Sequence, residues 1–142
     1  MFNFGSNNWT TNNNNIGGIT ASNSSTGATN VYGIRVNTSS TATFTCQNNT
    51  IGGTVANSIQ STTTAAGTIV NGILNSAPAG TITGNTIRNL TAAGGTGTTT
   101  SASVVGIVNS ASSANHTVSQ NTIQTLTNTS AAKAATQTAA KE

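Results

Sequence analysis

The chain has 142 residues, of which four are basic and one is acidic, so charged residues make up only 4% of it. One domain is expected at this length. The sequence has no Asp, and its one Glu is Glu142. Paired carboxylates for glycoside hydrolysis and the carboxylate ligands of a typical calcium site are therefore excluded. With one His and one Cys besides, we predict a protein that is not an enzyme and has no catalytic, cofactor-binding or metal-binding residues.

The four basic residues also limit the partners of the chain. They are Arg35, Arg88, Lys133 and Lys141. Nucleic-acid binding needs a cluster of such residues to displace counterions from phosphates, so we expect no nucleic-acid partner. No run of 18 apolar residues is present, so no membrane span is predicted. Residues 1–9 have no basic region followed by an apolar core, so they do not read as a signal peptide.

In chain order, residues 1–8 form a polar extension that contains Phe2 and Phe4, and we interpret it as an N-terminal extension or cap. A block then recurs through residues 9–130, and each copy places an Asn two residues before an Ile. The Ile residues are Ile16, Ile51, Ile87 and Ile123. The Asn residues are Asn14, Asn49, Asn85 and Asn121. Successive copies are 35 or 36 residues apart. Internal periods of this length are typical of stacked repeat units.

The interval between blocks contains short clusters of Val, Ile and Thr bounded by turn-forming residues, which is typical of strands. One cluster reads apolar-x-Gly-Ile and ends at Ile34, Ile73 and Ile107. No window has the apolar spacing of a core helix. We therefore predict an all-β parallel β-helix, or β-solenoid, with about 36 residues and three strands per coil and roughly four coils.

Corners are expected inside each block. Cys46 and Ile51 are both apolar but five residues apart, so strand alternation would place them on opposite faces unless the chain bends at Asn49. Stacked Asn side chains can also hydrogen-bond from coil to coil. A further column is predicted three residues after each Ile, where Gly pairs precede it in the first two copies. Its members are Ile19, Thr54, Leu90 and Leu126.

Single residues have structural interpretations. Cys46 stands in a column with Thr11, Ile82 and Val118, so we predict a small buried side chain. His116 stands in a column with Trp9, Phe44 and Gly80 and is predicted to be a partly exposed ring. A Thr column is predicted on the outer face, where good strand formers meet solvent. Its members are Thr10, Thr45, Thr81 and Thr117.

The last segment, residues 131–142, is rich in Ala and contains Lys133 and Lys141. It is interpreted as a C-terminal tail or cap, either a short helix over the end of the stack or one more strand of an unfinished coil. Uncovered strand edges template further pairing. Capped ends therefore predict a monomeric module, and bare ends predict a filament.

The segments "NNTIGG", "GNTIRNLTAAG" and "QNTIQTLTNTS", alternating with "VYGI", "VNGI" and "VVGI", resemble right-handed parallel β-helix repeats. More narrowly, they are similar to the Thr/Asn/Gly-rich repeat arrays of large secreted bacterial surface proteins. The resemblance covers about residues 9–130 and implies an extracellular or cell-surface scaffold, adhesin-like in type. The chain is either an excerpt of such an array or a small relative that assembles.

Two functional hypotheses follow. The first is a structural repeat protein that associates end to end into an extracellular fibre or cell-surface scaffold. The second is a module that binds ice, or surface glycans, with its outer face. Regularly spaced Thr side chains would bind ice, and exposed Trp9, Tyr32 and Phe44 would stack on sugars.

Overall fold

The structure is a computed structural model. It describes residues 8–24, 26–37, 42–96, 103–110 and 115–130, together with the backbone of residues 2–3. Every regular element in these residues is a β-strand, and none of them lies in a helix. The strands are β1 (Phe2–Asn3), β2 (Trp9–Asn12), β3 (Asn15–Ile16), β4 (Ile19–Ala21), β5 (Asn30–Val36), β6 (Thr43–Gln47), β7 (Thr50–Ile51), β8 (Ile59–Ser61), β9 (Ile69–Asn75), β10 (Ala79–Thr83), β11 (Thr86–Ala92), β12 (Val104–Asn109), β13 (Asn115–Ser119) and β14 (Thr122–Asn128). The all-β prediction is confirmed.

The strands form three sheets. Sheet A has the order β1-β5-β9-β12, and sheet B has the order β2-β6-β10-β13. Sheet C has the order β3-β7-β11-β8-β4, with β14 also paired to β11. All of these pairs are parallel, and the chain visits sheets A, B and C in turn before it returns to A. Each visit therefore adds one strand, or two short ones, beside those of the visit before.

The pairing register places equivalent residues of the sequence repeat directly beside one another. In sheet C, Ile16 pairs with Ile51, Ile51 with Ile87, and Ile87 with Ile123. The Thr column of sheet B is in register from Thr10 to Thr117, and in sheet A Val31, Val70 and Val104 share one column. The columns read from the sequence at the Ile and Thr positions are thus confirmed.

The column that was predicted three residues after each Ile is wrong at one position. The residue beside Ile19 and Leu90 is Ile59, and Thr54 lies in an exposed loop. Ile59 follows Ile51 by eight positions, whereas Ile19 follows Ile16 by three, so residues 54–58 are an insertion. The connection from β9 to β10 has three residues where that from β5 to β6 has six. This shortening largely offsets the insertion and keeps the block spacing at 36 residues.

The bend in each block is centred one residue earlier than predicted. The residue before each column Asn has a left-handed backbone, and its φ is 58° at Asn13, 54° at Asn48, 67° at Gly84 and 55° at Gln120. Asn and Gly adopt this conformation at low cost. A second bend follows each Ile, at Gly18 in the first block. The two bends bring the apolar residues on either side to the same interior.

The core lies between the three sheets. Ile34, Ile73, Ile82 and Ile87 are among its fully buried side chains, with 0% of their surface exposed. Cys46 is also 0% exposed, so the predicted small buried side chain is confirmed. The core is built from columns of mainly Val, Ile and Leu side chains, and with four strands in a row at about 4.8 Å it is short in the direction of stacking.

Parts of the predicted end segments lie outside the described residues. These parts are residues 1, 4–7 and 131–142, so the proposed C-terminal helix or strand falls outside them entirely. In the N-terminal extension, Phe2–Asn3 forms β1, which pairs with Arg35 and Val36 of β5 at one edge of sheet A.

Candidate functional site

The column of asparagines at the corner between sheets B and C forms a continuous hydrogen-bonded ladder, which we call the Asn ladder (Asn14, Asn49, Asn85 and Asn121). The backbone N–H and the side-chain Nδ2 of Asn14 both donate to Oδ1 of Asn49, at 3.0 and 2.9 Å. Asn49 donates in the same way to Asn85, and Asn85 donates to Asn121, all at 2.9 Å. The predicted ladder of stacked amides is therefore confirmed.

A second set of bonds ties each ladder residue to the strand that precedes it. Nδ2 of Asn49 donates to the backbone carbonyl of Thr11 at 2.8 Å, and Nδ2 of Asn85 donates to that of Cys46 at 2.9 Å. Asn49 and Asn85 are each only 1% exposed. Their amides are thus fully used in a place that water does not reach, and an unmade bond there would be costly.

The Asn ladder ends differently at its two ends. Oδ1 of Asn14 has no donor, and the backbone N–H of Asn121 has no acceptor, among the residues that the structure describes. Both residues are half-buried rather than buried. One end of the ladder therefore offers an acceptor and the other offers donors.

The backbone edges of the strands lie at the same two ends. We call β2, β3 and β4 the first row, and β13 and β14 the last row. In sheets B and C these strands are the outermost ones at their ends. Such edges carry unpaired N–H and C=O groups, which are a template for pairing with another strand.

The apolar side chains of the two end rows are partly exposed, although their equivalents in between are not. Phe44, Cys46, Ile51, Ile59, Ile82, Ile87 and Leu90 are all 0% exposed. The corresponding end-row residues that pack against this core are only half-buried: Trp9, Ile16, Ile19 and Ala21 in the first row, and Val118, Ile123 and Leu126 in the last. In sheets B and C the apolar interior is therefore partly exposed to solvent at both ends, whereas in sheet A the side chains of Val104 and Ile107 in β12, the last strand, are buried.

The outer face of sheet B carries the predicted Thr column. Thr10 and Thr117 are exposed, and Thr45 and Thr81 are half-buried. Beside this column, the Thr83 and Ser119 hydroxyls lie 3.0 Å apart and form a hydrogen bond. The outward direction of the Thr residues is confirmed.

The aromatic residues do not form an exposed platform. Phe44 is 0% exposed, and its ring stacks on that of Trp9 with the centroids 5.3 Å apart. The prediction of an exposed Phe44 is therefore wrong, because strand alternation places it on the same inner face as Cys46. Tyr32 lies in a different sheet, where the Arg35 guanidinium is 4.9 Å from its ring centroid.

His116 is half-buried in the column of Trp9, Phe44 and Gly80, as its position in the repeat predicts. Its Nδ1 lies 3.4 Å from Nδ2 of Asn75. Among the described residues, no three His, Cys, Asp or Glu side chains come together in a group that could hold a metal ion. The described part of the chain also contains no helix of the length and apolarity that crossing a membrane requires.

The inserted loop of residues 54–58 is the surface feature that the sequence did not reveal. It borders a shallow groove of about 410 Å³, together with Gly18, which lies between β3 and β4, and Thr20 of β4. Val55 in this loop is 73% exposed. The Ser58 hydroxyl accepts a hydrogen bond from Gly53 N–H at 2.6 Å and so fixes the base of the loop. The groove has no charged side chain in its wall.

Comparison of the chain with protein-family models, with curated proteins and with solved structures gave no match.

Proposed function

We propose that the chain is a structural repeat protein, a parallel β-solenoid of about four coils with three strands each, whose copies stack end to end. The assembly would be an extracellular fibre or a cell-surface scaffold. The observation that carries this proposal is the partial exposure of the apolar side chains in both end rows of sheets B and C.

Stacking a second copy on an open end would remove these side chains from water. Full burial of an Ile or Leu side chain contributes roughly 1.5–3 kcal/mol, and these side chains are already mostly buried, so completing the burial contributes at most about 1 kcal/mol per residue. The backbone edges of the first and last rows would pair in the same step. Because the two ends are different surfaces, each copy keeps one free end after pairing, and growth does not close on itself.

The low charge of the chain also favours association, since like charges do not keep copies apart. The net charge is +3 over 142 residues, and two of the four basic side chains lie in residues 131–142. The extracellular location rests on the resemblance of the repeats to those of secreted bacterial surface proteins, and on no site within the structure.

Sedimentation velocity across a concentration series tests this function. We expect the wild-type chain to form species that grow with concentration from a 14.0 kDa monomer. Leu126→Lys places a charge in the open end of the last row and should hold the chain at the monomer. Gln124→Lys adds the same charge to an exposed position of the same strand and should behave as wild type.

Far-UV circular dichroism of both variants controls for folding. A wild-type chain that stays at 14.0 kDa at every concentration would rule out the proposed function. Equal assembly of folded Leu126→Lys and wild type would show that the open apolar end is not the contact.

The Thr column of sheet B supports a second candidate function, an ice-binding surface. Thr10, Thr45, Thr81 and Thr117 lie in register on the outer face and would present hydroxyl and methyl groups at the strand spacing of about 4.8 Å. Thermal hysteresis of the wild type, compared with Thr81→Lys, tests it. No hysteresis in the wild type would remove this candidate.

A further inference from the structure

The Asn ladder has a direction. In the interior, Asn85 receives bonds at Oδ1 from the backbone N–H and the side chain of Asn49, at 2.9 Å each. It gives the same two bonds to Oδ1 of Asn121. Each residue therefore accepts from the earlier row and donates to the later row. At the ends, Asn14 retains an unused acceptor and Asn121 retains unused donors.

We infer that these two ends complete one another: the backbone N–H and Nδ2 of Asn121 in one copy donate to Oδ1 of Asn14 in the next. This inference rests on the proposed end-to-end stacking and specifies its direction and register. The last row of one copy then lies beside the first row of the next, with Thr117 opposite Thr10 and Thr127 opposite Thr20.

The bonds that join each ladder residue to the strand of the preceding row fit the same junction. Within the chain, Nδ2 of Asn49 donates to the carbonyl of Thr11, and Nδ2 of Asn121 donates to that of Ile82, both at 2.8 Å. Thr11, Cys46, Ile82 and Val118 form one column. Across the junction, Nδ2 of Asn14 exchanges its bond to the Thr11 hydroxyl, which is 2.9 Å within the chain, for a bond to the Val118 carbonyl of the neighbouring copy.

The apolar rows agree with this register. Ile123 of the last row continues the column that begins at Ile16, and Leu126 continues the column that begins at Ile19. A head-to-head contact would instead place two Asn14 acceptors against one another. The ladder therefore selects the head-to-tail arrangement.

Cysteine cross-linking in a two-by-two design tests the register. Parallel neighbours in register have Cα atoms about 4.8 Å apart, within the range that a disulfide spans. Thr10, Thr20, Thr117 and Thr127 are all exposed, and the native Cys46 is buried. Thr10→Cys with Thr117→Cys is matched in sheet B, and Thr20→Cys with Thr127→Cys is matched in sheet C.

The expected result under mild oxidation is a ladder of covalent oligomers for the two matched pairs. The swapped pairs, Thr10→Cys with Thr127→Cys and Thr20→Cys with Thr117→Cys, should remain uncross-linked, as should each single variant and the wild type. Each variant is assayed at a concentration at which sedimentation shows assembly. Cross-linking of the swapped pairs or of single variants would overturn the register, as would its absence from both matched pairs.

A substitution in the ladder gives a second readout. Asn14→Ala removes the acceptor at the junction and should weaken assembly by at least about tenfold. Asn15→Thr is the matched control, since the neighbouring column continues with Thr50, Thr86 and Thr122. If both variants assemble as the wild type does, the ladder does not cross the junction, although end-to-end stacking itself would stand. A wild type that never assembles would overturn both proposals.

Discussion

The Cγ2 atom of Ile87 lies 2.6 Å from the point where a Cβ atom on Gly72 would stand, so the two residues fit together only because Gly72 has no side chain. The same relationship joins Gly33 to Ile51, at 2.5 Å, and Gly106 to Ile123, at 2.6 Å. The Ile of one repeated motif therefore packs against the Gly of the other. This contact explains why both motifs recur together in the sequence.

Gly72→Ala should destabilise the protein by about 2–3 kcal/mol, as overpacking of a close-packed core does. The new Cβ would meet the Gly106 carbonyl oxygen at 2.5 Å as well as Ile87, and a backbone oxygen cannot move aside alone. Gly67→Ala is the control, because its Cβ would meet only the Ala28 methyl at 3.2 Å. Urea denaturation followed by circular dichroism measures both; equal midpoints would contradict the packing.

Asn85→Ala should cost about 2–4 kcal/mol, since it leaves the buried N–H of Asn49 without an acceptor and removes one of the acceptors of Asn49 Nδ2. Asn14→Ala is the matched comparison at the end of the Asn ladder, where Oδ1 has no donor among the described residues. It should cost less when measured on the monomer at low concentration. A loss at Asn85 no larger than that at Asn14 would show that the ladder adds little to stability.

Deletion of residues 54–58 should be tolerated, with a change of about 1 kcal/mol or less. The deletion joins Gly53 to Ile59 and restores the Ile-Gly-Gly-Ile sequence of residues 16–19. A deletion of equal length, residues 59–63, removes the fully buried Ile59 and should prevent folding. Thermal unfolding distinguishes them, and a large fall in Tm for the first deletion would mean that the loop supports the fold.

The stability of the protein should fall with pH above about 9. Burial raises the pKa of the Cys46 thiol from 9.0 to about 12, although a hydrogen bond from Asn49 acts in the opposite direction. Below pH 9 the thiol is protonated in the folded and unfolded states alike, and stability is at its full value. Between pH 9 and 12 the thiol ionises only in the unfolded chain, which lowers stability by up to about 1.4 kcal/mol per pH unit.

Cys46→Val, which resembles Val118 of the same column, should remove that part of the pH dependence. Urea denaturation at pH 7, 9, 10 and 11 provides the measurement. Parallel curves for the wild type and Cys46→Val over this range would show that the thiol is not protected by burial.

How much of this structure the sequence predicts depends on whether a feature lies in a repeated column. The Asn ladder, the Ile column and the outward Thr column are periodic, so their register could be read from the spacing of Asn49, Asn85 and Asn121 alone. The insertion at residues 54–58 could not be read in that way, because the short connection after β9 keeps the period within one residue of that of the first interval. Thr54 therefore has the sequence position that the repeat predicts, but Ile59 occupies the corresponding position in the sheet.

The burial of Phe44 is a second feature that the sequence alone did not predict. Which face of a strand is inner follows from alternation, but an aromatic residue fits either the core or an outer face. The partly exposed apolar residues of the end rows, such as Ile16 and Ile123, cannot be distinguished in the sequence from the buried Ile51 and Ile87. Only the stacking order identifies them as ends, so the candidate interaction surface required the structure.

Electron microscopy of the wild-type protein at high concentration tests end-to-end stacking most directly. The strand spacing of about 4.8 Å and four visits of the chain to each sheet predict fibres with an axial subunit repeat of about 19 Å. Their power spectra should contain a layer line at each of these two spacings. Uniform particles of a single 14.0 kDa chain at every concentration, or fibres without the 4.8 Å layer line, would contradict end-to-end stacking.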